Sequence, residues 1–385
     1  MFLILVSILS GLIPAAAEGT PATPLAADFH EEFQLDEIFQ EPRDSADFEP
    51  EFATLISAES PLLERLPVPD ALFLDELPTP TEPLPTLARK QRSPGEKKDP
   101  FQARAGWMPA RPIDDQPADW ELRTAELQFG VPIYHDSNGI WLGLSGIRRL
   151  DITTAAVLPD SGLPVPSQLW DIQAGVMHTR ELSGGRQAGG MLRIGSPSDQ
   201  PFGAVRDLTV SFLGFYNIPH GDRDAWNFSL FYSPTGQIIF PIPGVAYSWR
   251  PNDQFKVNLG IPFSLEYHPT DSLEITANYL PINQVQLLAR QTLSESLCLY
   301  GGYRTVNETF LLADRENDRE RTYLFDQRIL LGLQQELPRG WNLDLSVAHV
   351  FDRQFFQAEK FSGTRRDELM IESGLAGTLQ LSWTR

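Results

Sequence analysis

Cysteine is almost missing from this chain: Cys298 is the only one in 385 residues. No disulfide can therefore close a loop within it. Cys298 lies in Leu297-Cys-Leu-Tyr300, an apolar alternating stretch, and reads as a packed residue rather than a nucleophile. Long apolar runs are missing too, except for residues 1–17, MFLILVSILSGLIPAAA. That run is shorter than the ~20 residues a spanning helix needs. It ends on three alanines and predicts an export signal over residues 1–17, with an uncleaved anchor as the alternative. Basic residues are in the minority, 31 Lys and Arg against 51 Asp and Glu, and the net charge of −20 argues against nucleic acid as a partner. His30, His178, His220, His268 and His349 show no metal-ligand spacing, and no Gly-rich loop suits a phosphate. Neither a metal nor a cofactor is predicted.

The charge that is present is unevenly spread. Glu18 to Ala88 holds 17 acids, 2 bases and 11 prolines. Proline removes backbone donors and like charges repel, so residues 18–105 are predicted to be a disordered acidic tail. Phe29, Phe33, Phe39, Phe48 and Phe52 stand among its acids, which allows either a solvated spacer or an arm that docks on a partner.

From Gly106 onward the composition changes to alternating strands. The clearest pattern is Tyr247-Ser-Trp-Arg-Pro-Asn-Asp-Gln-Phe-Lys-Val-Asn-Leu-Gly260, repeated 18 residues later at Leu265-Glu-Tyr-His-Pro-Thr-Asp-Ser-Leu-Glu-Ile275. Each copy has an aromatic, a basic residue, a Pro-x-Asp turn and then apolar residues at every second position. Pro251, Asp253, Pro269 and Asp271 are the turn residues, and Pro338 and Gly340 form a third turn ahead of Trp341. Fifteen candidate strands can be marked between Trp120 and Trp383. At ~9–11 residues per membrane strand plus a connection, arithmetic on the length gives 12 to 14. Pro262 leaves one point open. If both Pro-x-Asp turns lie at one end, two strands of only about seven residues fit between them; if they lie at opposite ends, one long strand carries Pro262 at a bulge.

Several features favour a lipid-facing sheet over a soluble sandwich. Trp226, Tyr232, Trp249, Tyr267, Tyr279, Trp341 and Trp383 stand near strand ends, where a membrane interface holds aromatics. Lys256, Glu274, Arg290, Arg328 and Asp344 fall on the polar faces, as candidates to line a lumen. Tight turns alternate with long charged connections such as 314–321 and 352–367. The loop at 314–321 reads as hydrated, with Ca²⁺ or lipopolysaccharide binding as the sharper alternative.

Residues 106–385 thus resemble a bacterial outer-membrane β-barrel, and the repeated hairpin resembles that of an uncharacterised domain-of-unknown-function barrel family. The resemblance implies an all-β, antiparallel up-and-down transmembrane barrel, set in the lipid bilayer by the barrel-insertion machinery. It implies a porin-like channel or small-solute transporter and supplies no catalytic residues. Such barrels usually end on an aromatic residue, whereas Thr384-Arg385 follow Trp383 here.

Two other readings stay open. One is a soluble secreted all-β binding protein. The other rests on His135-Asp-Ser-Asn-Gly139, which resembles the His-x-Ser-Asn-Gly motif of outer-membrane phospholipases, with His135 activating Ser137. The Asn that such enzymes carry about a dozen residues later is absent, since position 149 is Arg149. Asn-Gly between alternating strands is also a strong hairpin signal, so the chain is read as a non-enzyme.

Overall fold

The computed structural model describes residues 100–235, 240–280 and 284–384. The expectations for the export signal and for most of the acidic tail lie outside these residues. Alternation is realised as seventeen strands. They are β1 (Phe101–Ile113), β2 (Gln116–His135), β3 (Gly139–Thr153), β4 (Gln168–Glu181), β5 (Gln187–Ser198) and β6 (Thr209–His220). Next come β7 (Asp224–Tyr232), β8 (Ile242–Asn252), β9 (Phe255–Gly260), β10 (Phe263–Thr270), β11 (Leu273–Leu280) and β12 (Gln284–Ser294). The last are β13 (Leu297–Phe310), β14 (Arg321–Leu337), β15 (Trp341–Ala358), β16 (Arg366–Ile371) and β17 (Gly374–Trp383).

Apart from β16 with β17, each strand pairs antiparallel with its neighbours in sequence, and β1 pairs with both β2 and β17, so the sheet closes on itself. β16 and β17 both lie between β15 and β1 and form one stave broken at Glu372-Ser373. The result is a closed barrel of sixteen antiparallel staves, the all-β up-and-down architecture expected from the alternation. Closure leaves no open edge.

Sixteen exceeds the 12 to 14 expected from length, for two reasons. First, β1 begins at Phe101, inside the stretch read as tail. Second, the staves are very unequal. From twenty residues in β2 they shorten to nine in β7 and six in β9, then lengthen to seventeen in β14 and eighteen in β15. At ~3.3 Å per residue and a tilt near 40°, six residues rise only ~15 Å.

Both Pro-x-Asp turns lie at the end that carries Phe101 and Trp383, called the terminal end below, and a tight turn at Ile261-Pro262 lies at the other, the loop end. Two strands of six and eight residues fit between the turns. Pro251 and Pro269 occupy equivalent places, each inside a register shift, Trp249/Asn252 and Tyr267/Thr270, where the missing N–H breaks no ladder bond. Asp253 and Asp271 open the two turns, and Pro338 to Gly340 close β14 onto β15, with Arg339 at φ 68° and Gly340 at φ 80°.

The loop end is bound across its mouth. The Leu311 N–H donates to the Pro197 carbonyl at 2.8 Å, joining the ends of β13 and β5. Arg315, in the loop read as hydrated, is instead buried. Its Nη1 donates to Asp207 Oδ1 at 2.6 Å, and its Nη2 to the Arg206 carbonyl at 2.6 Å. On the neighbouring side Asp367 Oδ1 accepts the N–H groups of Asp160 and Ser161 at 2.8 and 2.9 Å.

Closure can be tested by a cross-link. In a Cys298→Ser background, Ala105→Cys with Leu379→Cys places thiols on directly paired positions of β1 and β17, within disulfide reach of ~4.4–6.8 Å between Cα atoms. Oxidation is expected to yield a reducible gel shift in folded protein. The control pair Ala105→Cys with Leu345→Cys, one stave further away, should give none.

Candidate functional site: the charged interior

Paired positions share a face of the sheet, so the registers sort side chains into two rows. One row contains Glu126, Arg148 and Asp171 on β2, β3 and β4. The Arg148 guanidinium hydrogen-bonds and ion-pairs with Glu308 on β13, six staves away around the wall. Only the inside of a closed barrel brings such strands together, which fixes that face as interior.

The interior is filled by two kinds of chemistry. Toward the loop end lies an apolar cluster that includes Trp120, Leu150, Leu169, Leu330, Val350, Phe355 and Leu369. Trp120 and Phe355 meet with ring centres 5.4 Å apart. Beside it runs a lattice of alternating charge. Arg104 Nε and Nη2 donate to Gln380 Oε1 at 3.1 and 2.9 Å, and its Nη1 lies 3.9 Å from Glu126. Arg328 makes a two-point contact with Asp326 at 2.5 and 2.7 Å. Tyr300 donates its phenol to Asp344 at 2.7 Å. The Tyr300 ring lies directly over Gly332, where a Cβ would come within 2.2 Å of it, so glycine is what leaves room for the tyrosine. A gap of 10 Å³, about the size of one water, lies beside Glu126, Arg148 and Asp171.

A second group of charges belongs to the short staves. Lys256 lies 3.9 Å from Glu266, His268 Nε2 lies 2.8 Å from the same carboxylate, and Arg290 lies 3.7 Å from Glu274. Glu266, His268 and Glu274 offer ligand atoms within 4.8 Å of one another. Lys256 and Arg290 already meet the two carboxylates, which opposes a cation there.

The five sequence-predicted lumen candidates are placed as follows. Lys256, Glu274, Arg290, Arg328 and Asp344 all stand in interior rows, each within an ion pair or hydrogen bond of the lattice just described. The aromatic set stands on the outward face. Trp226, Trp249, Tyr267, Trp341 and Trp383 are at the terminal end, and Tyr232 and Tyr279 at the loop end. Neighbouring rings touch. Trp226 meets Tyr247 at 4.8 Å, Trp249 meets Phe255 at 5.8 Å, Phe255 meets Tyr267 at 6.0 Å, and Trp341 meets Trp383 at 6.4 Å. His135 and Ser137 stand exposed at the β2–β3 hairpin tip. Asp136 accepts the Asn138 N–H at 2.8 Å, making an Asx turn that draws its carboxyl below the usual range. Among the described residues no hydrogen bond joins His135 to Ser137.

Arg104, Glu126, Arg148, Asp171, Arg304, Glu308 and Asp326 escaped the sequence reading. Alternation marks them as polar-face residues, but nothing local tells that Arg148 will meet a residue 160 positions away.

No family model matches the chain, and no curated protein matches it. Solved structures do. The beta domain of the Bordetella autotransporter BrkA is 13% identical, over 74% of this chain and 98% of that one, with a TM-score of 0.27. An outer membrane channel from Pseudomonas putida F1 is 7% identical, over 77% of this chain and all of that one, with a TM-score of 0.32. A mutant of the monoaromatic hydrocarbon channel TodX is 9% identical, over 74% and 89%, with a TM-score of 0.32. The first is an autotransporter beta domain and the other two are channels by name, and at these scores the architecture here rests on the closed register rather than on the likeness.

Removing one partner of the bridge across the interior strands a charge. Glu308→Ala is expected to destabilise the folded barrel by about 3–5 kcal/mol, read as a shift in guanidinium unfolding in detergent micelles. Arg148→Met with Glu308→Leu should recover most of that loss. A Glu308→Ala barrel as stable as the parent would mean that the two side chains do not pair.

Proposed function

We propose that this protein is an outer-membrane barrel that passes a small solute. The observation carrying the reading is the outward face. Large apolar side chains stand exposed on it all round the wall, including Val131 at 59%, Ile194 at 51%, Leu259 at 51%, Ile329 at 57%, Val347 at 58% and Leu375 at 61%. A water-soluble protein exposes apolar residues singly and not as a continuous belt. The inside carries the charge, and a sheet that is apolar outside and ionic inside suits a bilayer. This arrangement disfavours the secreted, soluble binding protein.

The aromatic residues at the two ends would anchor the belt at the membrane interfaces, Trp226, Trp249, Tyr267, Trp341 and Trp383 at one and Tyr232 and Tyr279 at the other. Lys256, Glu274, Arg290, Arg328 and Asp344 would line the route. Orientation follows the usual arrangement, with both termini and the acidic tail in the periplasm and the long loops outside. The Arg148–Glu308 bridge would narrow the passage, so the conducting path is expected to be small.

Membrane fractionation tests the barrel, and recovery in the soluble fraction without detergent would end it. Planar bilayers test the pore. Purified protein is expected to give small, steady conductance steps, and Arg148→Ala with Glu308→Ala larger ones. Absence of conductance together with absence of solute uptake into liposomes would sink the pore while leaving the barrel.

A further inference from the structure

Most interior charges have partners, and among the described residues two arginines, Arg111 and Arg304, do not. Asp326 is held by Arg328 at two points, Glu126 accepts from Gln128 at 2.6 Å, Asp344 accepts from Tyr300, and Glu308 meets Arg148. Arg304 on β13 has no such partner. Among the described residues it makes no hydrogen bond and no ion pair, and its Nε is buried with nothing to donate to. Its charged surroundings are of mixed sign: Arg328 and Arg104 repel it, while Asp326, held by Arg328, and Asp344, held by the Tyr300 phenol, attract it. Arg304 and Arg328 occupy directly paired positions on β13 and β14, so the like charges are built in by the register.

Arg304 is half-buried, with its Nε fully enclosed, and a guanidinium drawn out of water without acceptors is costly. Lysine could relieve the strain by releasing its proton, but arginine stays charged. The deficit is therefore one of negative charge with oxygen lone pairs. The planar fork of a guanidinium matches the paired oxygens of a phosphate or carboxylate. We propose that Arg304, flanked by Arg104 and Arg328, forms an anion-binding site inside the barrel for a small solute bearing a phosphate or carboxylate group.

The register also lays out an approach. Ser248, Asn258, Ser264, Asn278, Gln286 and Arg304 are successive partners across β8 to β13. This row of uncharged hydrogen-bonding side chains runs along the inside of the short staves and ends at the arginines. Neutral amides and hydroxyls can hand an anion along without trapping it, and the charge is concentrated only at the last step. The proposal deepens the channel reading and rests on it for the route, though the site itself needs no conductance to be detected.

The test uses the full-length protein folded in detergent micelles, with inorganic phosphate and acetate as probes against sodium chloride of equal ionic strength. A ligand bound only by the folded state raises the unfolding midpoint saturably. Phosphate is expected to raise it in the parent, and Arg304→Met to weaken the apparent affinity about tenfold or more, the loss of a charge-assisted contact. Arg304→Lys, which keeps the charge without the fork, should fall between the two and serves if the methionine variant does not fold. A rise with phosphate alone assigns a phosphorylated solute, and a rise with acetate as well assigns oxyanions generally. No rise with either probe, or equal rises in the parent and both variants, would overturn the site. Because conductance is measured separately, a silent barrel that still binds phosphate would end the pore reading and leave this one standing.

Discussion

Everything in this molecule depends on one pairing, that of β1 with β17. A sheet of fifteen staves would present two edges, each a row of unpaired N–H and C=O groups. Such edges are open templates for pairing with another chain, and in the bilayer proposed above each unpaired group would cost several kcal/mol. β1 removes both edges at once, since Phe101 to Trp107 pairs with β17 on one side and with β2 on the other. Closure then creates an inside, and with it the meeting of Arg148 and Glu308 across the wall. Neither the ionic lattice nor the apolar cluster around Trp120 and Phe355 could form on an open sheet.

The closing strand is also the one that the sequence hides best. Fifteen of the sixteen staves show themselves through alternation between Trp120 and Trp383. β1 reads FQARAGWMPARPI, and its prolines and arginines resemble the tail before it. In the structure Pro109 falls in the register shift between Met108 and Arg111, and Pro112 borders a second shift. A proline at a bulge breaks no ladder, so the strand tolerates what a propensity reading penalises. Arg104, which looks like linker charge, points inward onto Gln380 and Glu126.

The stave count went astray for a different reason. An average length per stave assumes a wall of even height, and this wall is not even. The strands flanking Pro262 have six and eight residues, well below the ~9–11 of a strand that crosses a bilayer. Polarity was more legible than partnership. Alternation alone puts Lys256, Glu274, Arg290, Arg328 and Asp344 on polar faces. It is silent about which of them meet, because partners such as Arg148 and Glu308 are set by closure and stagger.

The low wall and the unpaired Arg304 belong to one asymmetry. The long staves, β14, β15, β2 and β3, carry the apolar cluster, and the bridged charges stand on or beside them, so that half of the interior is packed. The short staves carry small polar residues, with Asn217 donating to Asn227 at 2.8 Å and Asn258 to Ser264. Packing supplies the rigidity on the tall side, and the low side is held mainly by its ladder and its tight turns. Arg304 stands where these halves meet, at the end of the polar row and the start of the lattice. A charge at that junction has neutral side chains on one side and, on the other, carboxylates already held by Arg328 and Tyr300, which is why an acceptor from outside the chain is proposed for it.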